Sequence, residues 1–125
     1  MRIKSILLAL FFVILTSCAT HRPSTRGFEY EWREAHSLLG LEDRIGEFPM
    51  PEIRWEYPPS SMNGEFIQPS AFNPAGVVYG VHSKTLIHEF LHILLWHTNR
   101  SRYRDHCLIW DLLQDDYNYR QHGCS

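Results

Sequence analysis

The chain has 125 residues, 44% hydrophobic and 21% charged, with 12 basic and 14 acidic side chains and a formal charge of −2. That length is enough for one small domain, and the near-neutral balance without a basic surface argues against nucleic acid as a partner. Histidine is abundant, at 8 residues.

The first residues look like a targeting segment rather than part of a fold. Arg2 and Lys4 form a basic start, and residues 6–15 are an unbroken apolar run. Such a run is too short to span a bilayer and the right length for a signal peptide. It ends in Leu15-Thr16-Ser17-Cys18, which resembles the lipobox of bacterial lipoproteins. The resemblance implies cleavage after residue 17, acylation of Cys18 and, with Ala19 rather than Asp following, an outer-membrane anchor facing the periplasm in a Gram-negative cell. An ordinary secretory signal and an uncleaved anchor are the alternatives. Removing residues 1–17 leaves 108 residues and takes the formal charge to −4.

Residues 18–27 are polar and lack periodicity, which suits a tether between the lipid and a domain spanning 28–125. Residues 28–41 place Phe28, Trp32, Ala35, Leu38 and Leu39 at near-helical spacing, with Gly40 as a stop. Pro49 and Pro51 break the chain before residues 52–57, which alternate as a half-buried strand. Residues 65–72 are a weaker strand carrying Pro69, fit for an edge, and residues 73–76 form a turn.

Residues 77–81 then predict a strand leading into a helix over about 84–96, with Ser83 as its N-cap. Residues 99–104 are a polar turn. A last helix is expected over 106–117, with Leu108, Ile109, Leu112 and Leu113 on one side. No repeat is present. The pattern is α+β: an N-terminal helix, a small antiparallel sheet, a central helix and a C-terminal helix. With Cys18 carrying lipid, Cys107 and Cys124 remain as an even pair, and an oxidising compartment favours a disulfide between them.

The chemistry lies in His88-Glu89-Phe90-Leu91-His92, an H-E-x-x-H pattern. Residues i and i+4 of a helix lie about 40° apart and one turn up, so both imidazoles aim at a common point. Two such nitrogens at roughly 2.0–2.1 Å from a Zn²⁺ make half of a tetrahedral shell. Glu89 is placed to take a proton from water. With eight histidines and nine glutamates in the chain, a chance match has a probability of about 0.04. The flanks, Leu86-Ile87 and Ile93-Leu94-Leu95-Trp96, are apolar nearly all round, as in a buried helix. Two histidines and an acid buried there cost several kcal/mol unless partnered, and a metal ion offsets that cost.

A zinc site needs a third protein ligand. His97 lies about 180° round the same helix from His88 and faces away. It also falls five residues after His92 without a glycine, unlike the metzincin spacing of six. His106 follows a turn and opens the next helix, so it is the favoured ligand. Asp105 beside it is the alternative, or else a helix cap; His122 is expected at the surface, and thiolate ligation by Cys107 is a minor option.

Strand, H-E-x-x-H helix and a second helix bearing the third ligand, over roughly residues 77–113, resemble the minimal zincin domains of gluzincin-like metallopeptidases. More loosely, the chain resembles small bacterial lipoproteins with a metallopeptidase domain. The resemblance implies one Zn²⁺ held by His88, His92 and His106, with Glu89 as general base for peptide-bond hydrolysis. The interval to the third ligand is shorter than in that family, and no substrate-recognition domain is evident.

Peptide or protein substrates, peptidoglycan included, would then be held by residues 77–81 or 65–72 as an edge strand. Tyr103, His82, Arg102 and Arg104 are candidate oxyanion donors by residue type. Two other readings stand beside this one. The first is a non-catalytic, zinc-stabilised envelope lipoprotein; the second is a metal-free interaction module built on Trp32, Trp55, Trp96 and Trp110.

Overall fold

The computed structural model describes residues 27–125. The expected signal segment 1–17, the acylation site Cys18 and tether residues 18–26 lie outside the described residues.

Helix α1 (Glu29–Leu38) starts with Glu29 and Glu31 in its first turn, where carboxylates favour the positive end of the helix dipole. It ends as Gly40 predicts. With φ +67° at Gly40, the Leu41 N–H reaches the His36 carbonyl (2.8 Å) and the Gly40 N–H that of Ser37 (3.0 Å), a Schellman closure. The buried face differs from the expected stripe. Trp32, Ala35 and His36 are deepest, and Leu38 and Leu39 are only partly buried. His36 is tolerated because its Nδ1–H donates to the Trp32 carbonyl at 2.7 Å.

Three short strands follow: β1 (Glu52–Arg54), β2 (Glu65–Ile67) and β3 (Val77–Tyr79). Their order is β1-β3-β2. β3 is buried along its whole length, as a central strand should be. The sheet is mixed rather than antiparallel: β2 runs antiparallel to β3, with Phe66 opposite Val78, but β1 runs parallel to it, with Ile53 opposite Val78. The segment between β1 and β3 is long enough to carry the chain back for a parallel pairing. Each strand is shorter than its apolar pattern suggests. β1 stops as the Glu56 N–H turns back to the Arg54 carbonyl (2.8 Å), and β2 stops before Pro69, which has no N–H to offer.

Helix α2 (Ser83–Thr98) is the core of the molecule. Leu86, Phe90, Leu91, Ile93 and Leu94 are fully buried, packed by α1 on one side and the sheet on another. Trp32 meets Phe90 edge to face at 5.1 Å. Ser83 does not cap this helix. It is the first helical residue, after His82 at the N-cap position, and its hydroxyl donates to Glu31 of α1 at 2.9 Å.

A single 3-10 turn (Arg100–Arg102) reverses the chain. The expected C-terminal helix is then two: α3 (His106–Leu112) and α4 (Asp116–Gln121). Gln114 sits at φ +54° between them, and the Asp115 carboxylate accepts from the Asn118 N–H (3.1 Å) to start a new helix. The Cys107–Cys124 disulfide, with Cα atoms 5.6 Å apart, ties the end of the chain to α3. The fold is therefore α+β, with helices gathered round a small sheet. Among the described residues, no helix is long and apolar enough to cross a membrane.

Candidate metal centre

Helical spacing places His88 and His92 on one face of α2, with their Nε2 atoms 3.1 Å apart. The turn at 99–105 brings His106, the first residue of α3, over the same face. Its ring centroid is 5.4 Å from that of His88 and 4.7 Å from that of His92. One nitrogen from each of the three imidazoles lies within 4.8 Å of the others, so the set could bind a metal ion. Two nitrogens bonded to one tetrahedral Zn²⁺ stand about 3.3 Å apart, a spacing that the His88–His92 pair already has and that His106 would reach by closing in on them.

The surroundings favour neutral ligands. His92 Nδ1–H donates to the Tyr103 carbonyl, which leaves the Nε2 lone pair aimed at the cluster. Burial, then the neighbouring His92 and His106, hold the His88 pKa down at about 3. Burial lowers His92 to about 4, and lowers His106 as well. Desolvation disfavours the imidazolium in each case, so the lone pairs are free at neutral pH. Glu89 is only 7% exposed, and burial, with help from Glu65, raises its pKa to about 8. A cation nearby would draw it back to the ionised form.

The competing ligands are placed elsewhere. The His97 ring stacks on Phe48 at 5.4 Å, on the α1 side of the helix, as its angular offset implies. Asp105 caps α3 by accepting from the Leu108 N–H (3.0 Å) and pairs with Arg102 (3.0 Å). Cys107 is bonded to Cys124 and is no thiolate. His122 is exposed, as expected, yet it stacks on Trp110 at 4.3 Å, beside the three histidines but outside the set.

Two clefts meet at the cluster. One, of about 600 Å³, runs along β2 between Phe66, Ile67 and Gln68 on one side and His92, Tyr103, Arg104 and His106 on the other. The second, of about 490 Å³, lies between Ser61-Met62-Asn63-Gly64 and the α3–α4 wall of Trp110, Asp115, Asn118 and His122, and is lined also by Lys84 and His88. Met62, Gly64, Glu89 and His106 border both. Of the four donor candidates, Tyr103 and Arg104 line the β2 cleft, with the Arg104 guanidinium 5.1 Å over the Tyr103 ring. His82 and Arg102 line neither cleft. Residues 77–81 are ruled out as a substrate-binding edge, because β3 is paired on both sides; among the described residues, β2 has a free edge.

The parts that several residues play here are not legible in the sequence. Gly64 is one: a Cβ there would meet the Thr85 methyl at 2.3 Å and Glu89 Oε1 at 2.9 Å, so the loop before β2 can lie against the motif only without a side chain. The Asn63-Gly64 pair is the turn signal that could have marked it. Trp110 and His122 form the far wall, and only their three-dimensional placement reveals it. No protein-family model, no curated protein and no solved structure matches this chain.

Proposed function

We propose that the chain is a zinc-dependent metallopeptidase, anchored to the bacterial envelope through an acylated Cys18. The observation that carries the reading is the convergence of three neutral imidazoles on one point beside a buried glutamate, at the meeting of two open clefts. Purely structural zinc sites are closed by four protein ligands, whereas three ligands at an open cleft leave a position for reactants.

When bound, the ion supplies Lewis acidity, polarising a scissile carbonyl and acidifying a water. The rest is done by the chain's own groups. His88, His92 and His106 hold the ion, and the Tyr103 carbonyl fixes the tautomer and angle of His92. Glu89, ionised once a cation is near, accepts a proton from the attacking water and can return it to the leaving amine. Arg104, on the cleft wall, is the candidate donor to a developing oxyanion.

The free edge of β2 would pair with an extended peptide laid in the cleft beside the ligands. Strand addition requires consecutive residues of one chirality, which favours protein or peptide substrates over peptidoglycan crosslinks. The test is metal analysis of wild type, H88A, H106A and H97A, with hydrolysis of a casein or peptide-library substrate by wild type and E89Q. One zinc per chain, lost in H88A and H106A, kept in H97A and E89Q, with hydrolysis abolished in E89Q, is the expected result. Full zinc content in H106A refutes the ligand set. Hydrolysis undiminished in E89Q refutes the mechanism, and its absence from zinc-loaded wild type favours a zinc-stabilised lipoprotein without catalysis.

A further inference from the structure

The exposed aromatic side chains are not confined to the clefts. Phe28, the residue at which the chain enters α1 from the tether, stacks on Trp55 just beyond β1, with ring centroids 5.4 Å apart. Trp55 remains 47% exposed, and Tyr30 and Tyr57, each two positions from a member of this stack, are 67% and 61% exposed. Large rings with a polar edge suit the headgroup zone of a bilayer.

Connectivity says which surface this group meets. The apolar run 6–15 and Cys18 precede Phe28 by a short segment. Ten residues reach at most about 35 Å, so an acyl chain on Cys18 keeps Phe28 within that distance of the membrane surface, and among the described residues Phe28 is the first core-packed one after the anchor. Charge does not select the lipid. Glu29, Glu52 and Glu56 lie on the same segments as Arg54, and Arg54 is already paired with Glu52 at 2.9 Å.

We infer that Trp55 and Phe28 dock in the interface of a zwitterionic bilayer and so turn the metal cleft away from the membrane; this rests on the acylation of Cys18 proposed above. The sheet order makes the two roles compatible. β1 and β2 are opposite edges with β3 between them, about 9–10 Å apart. Both clefts draw on the β2 side and neither on β1 or Trp55. Docking at the β1 end therefore leaves the β2 edge open to periplasmic polypeptide.

The test uses the full chain, extracted in its processed form and reconstituted in phosphatidylcholine–phosphatidylethanolamine vesicles with lipids brominated near the headgroup. Tryptophan quenching is compared in wild type, W55F and W110F, since Trp110 lines the cleft. Quenching in wild type, lost in W55F and retained in W110F, is expected. It should not change between low and high salt. Quenching retained in W55F but lost in W110F puts the cleft against the membrane and overturns the orientation. An acylated protein with no quenching overturns docking while the anchor stands. A mass lacking the acyl group overturns anchor and docking together, and a mass retaining residues 1–17 assigns the aromatic surface to the chain's own apolar segment.

Discussion

Replacing Gly64 by alanine tests the closeness of the loop before β2 to the motif helix. The added Cβ would stand 2.3 Å from Thr85 Cγ2, 2.9 Å from Glu89 Oε1 and 3.2 Å from the Tyr79 carbonyl oxygen. Non-bonded carbons settle at about 3.5–4.0 Å, so the Thr85 methyl or the loop must give by more than about 1 Å. Thr85 is β-branched and helical, with little rotamer freedom to yield. Overpacking of this kind costs about 1–3 kcal/mol. For a domain of this size that lowers the melting temperature by about 5–20 °C.

The assay is a circular-dichroism melt of wild type, G64A, T85S and the double variant G64A/T85S. T85S removes the obstructing methyl and keeps the hydroxyl, so the double variant should regain most of the loss, with a coupling of about 0.5–3 kcal/mol. Zinc content should stay at one per chain in G64A, because all three histidines lie outside the clash. Hydrolysis should fall, because Glu89 is the second atom displaced. A G64A protein that melts with wild type, or a T85S change that rescues nothing, would refute the described packing of loop on helix.

The remaining predictions concern the ion, the disulfide and pH. Ion binding at 100 to 1,000 times Kd contributes about 2.7–4.1 kcal/mol, so stripping the metal should lower the melting temperature by about 10 °C or more. An unchanged melt after verified removal would show that the histidines do not hold a stabilising ion. Serine at both Cys107 and Cys124 opens a link across 17 residues and should cost up to about 3 kcal/mol on the chain-entropy model. A non-thiol phosphine reductant, which spares the metal, should reproduce that loss in the wild type and have no effect on the serine variant.

For the metal-free protein, the stability maximum should fall near pH 6.5. The lowered histidines (His88 near 3, His92 near 4) contribute stability that is present above their unfolded value of about 6.5 and lost as pH falls towards 4 and 3. Glu89, raised to about 8, contributes stability that is lost as pH rises from its unfolded value of about 4.5 through 8. A melt that only rises from pH 6.5 to 8 would contradict the burial of Glu89.

What could be read from the sequence was whatever one helix decides by itself. The i, i+4 spacing aligns His88 with His92, the same geometry turns His97 to the opposite face, and an apolar flank buries the result. His106 was legible because only a chain that has reversed can return a ligand to that face. The parity of Cys107 and Cys124 was likewise enough to suggest their bond.

Features set by long-range packing were not legible. The parallel pairing of β1 with β3 depends on where the chain returns after β2, and no side chain between them encodes it. The break between α3 and α4 falls at Gln114, which has no glycine to announce a positive φ; only the Asp115-x-x-Asn118 cap pattern marks the new start. The Tyr103 carbonyl that orients His92 is invisible in principle, since every residue carries one. Nor does the sequence show that His36 is fully buried, which its own helix permits by satisfying one ring nitrogen.

The electrostatics of the site lead to one further measurement, the number of protons released when the ion binds. Three imidazoles with ordinary pKa values near 6.5 would together hold about 2.3 protons at pH 6 and release them to make room for a cation. Here burial has already stripped His88 and His92, with pKa values near 3 and 4, and pushes His106 in the same direction. The proton sits instead on Glu89, whose pKa near 8 keeps it almost fully protonated at pH 6. A divalent ion next to that carboxyl stabilises its anion, so binding should release about one proton from the acid and none from His88 or His92. Calorimetric titration of Zn²⁺ in buffers of different ionisation enthalpy at pH 6 counts the protons directly. E89Q should then release about one proton fewer than wild type, because His88 and His92 have nothing to give up. Release of two or more protons by wild type, or an unchanged count in E89Q, would mean that the histidines carry the protons. The site would then not be preformed, and the metal would have to win its ligands from solvent.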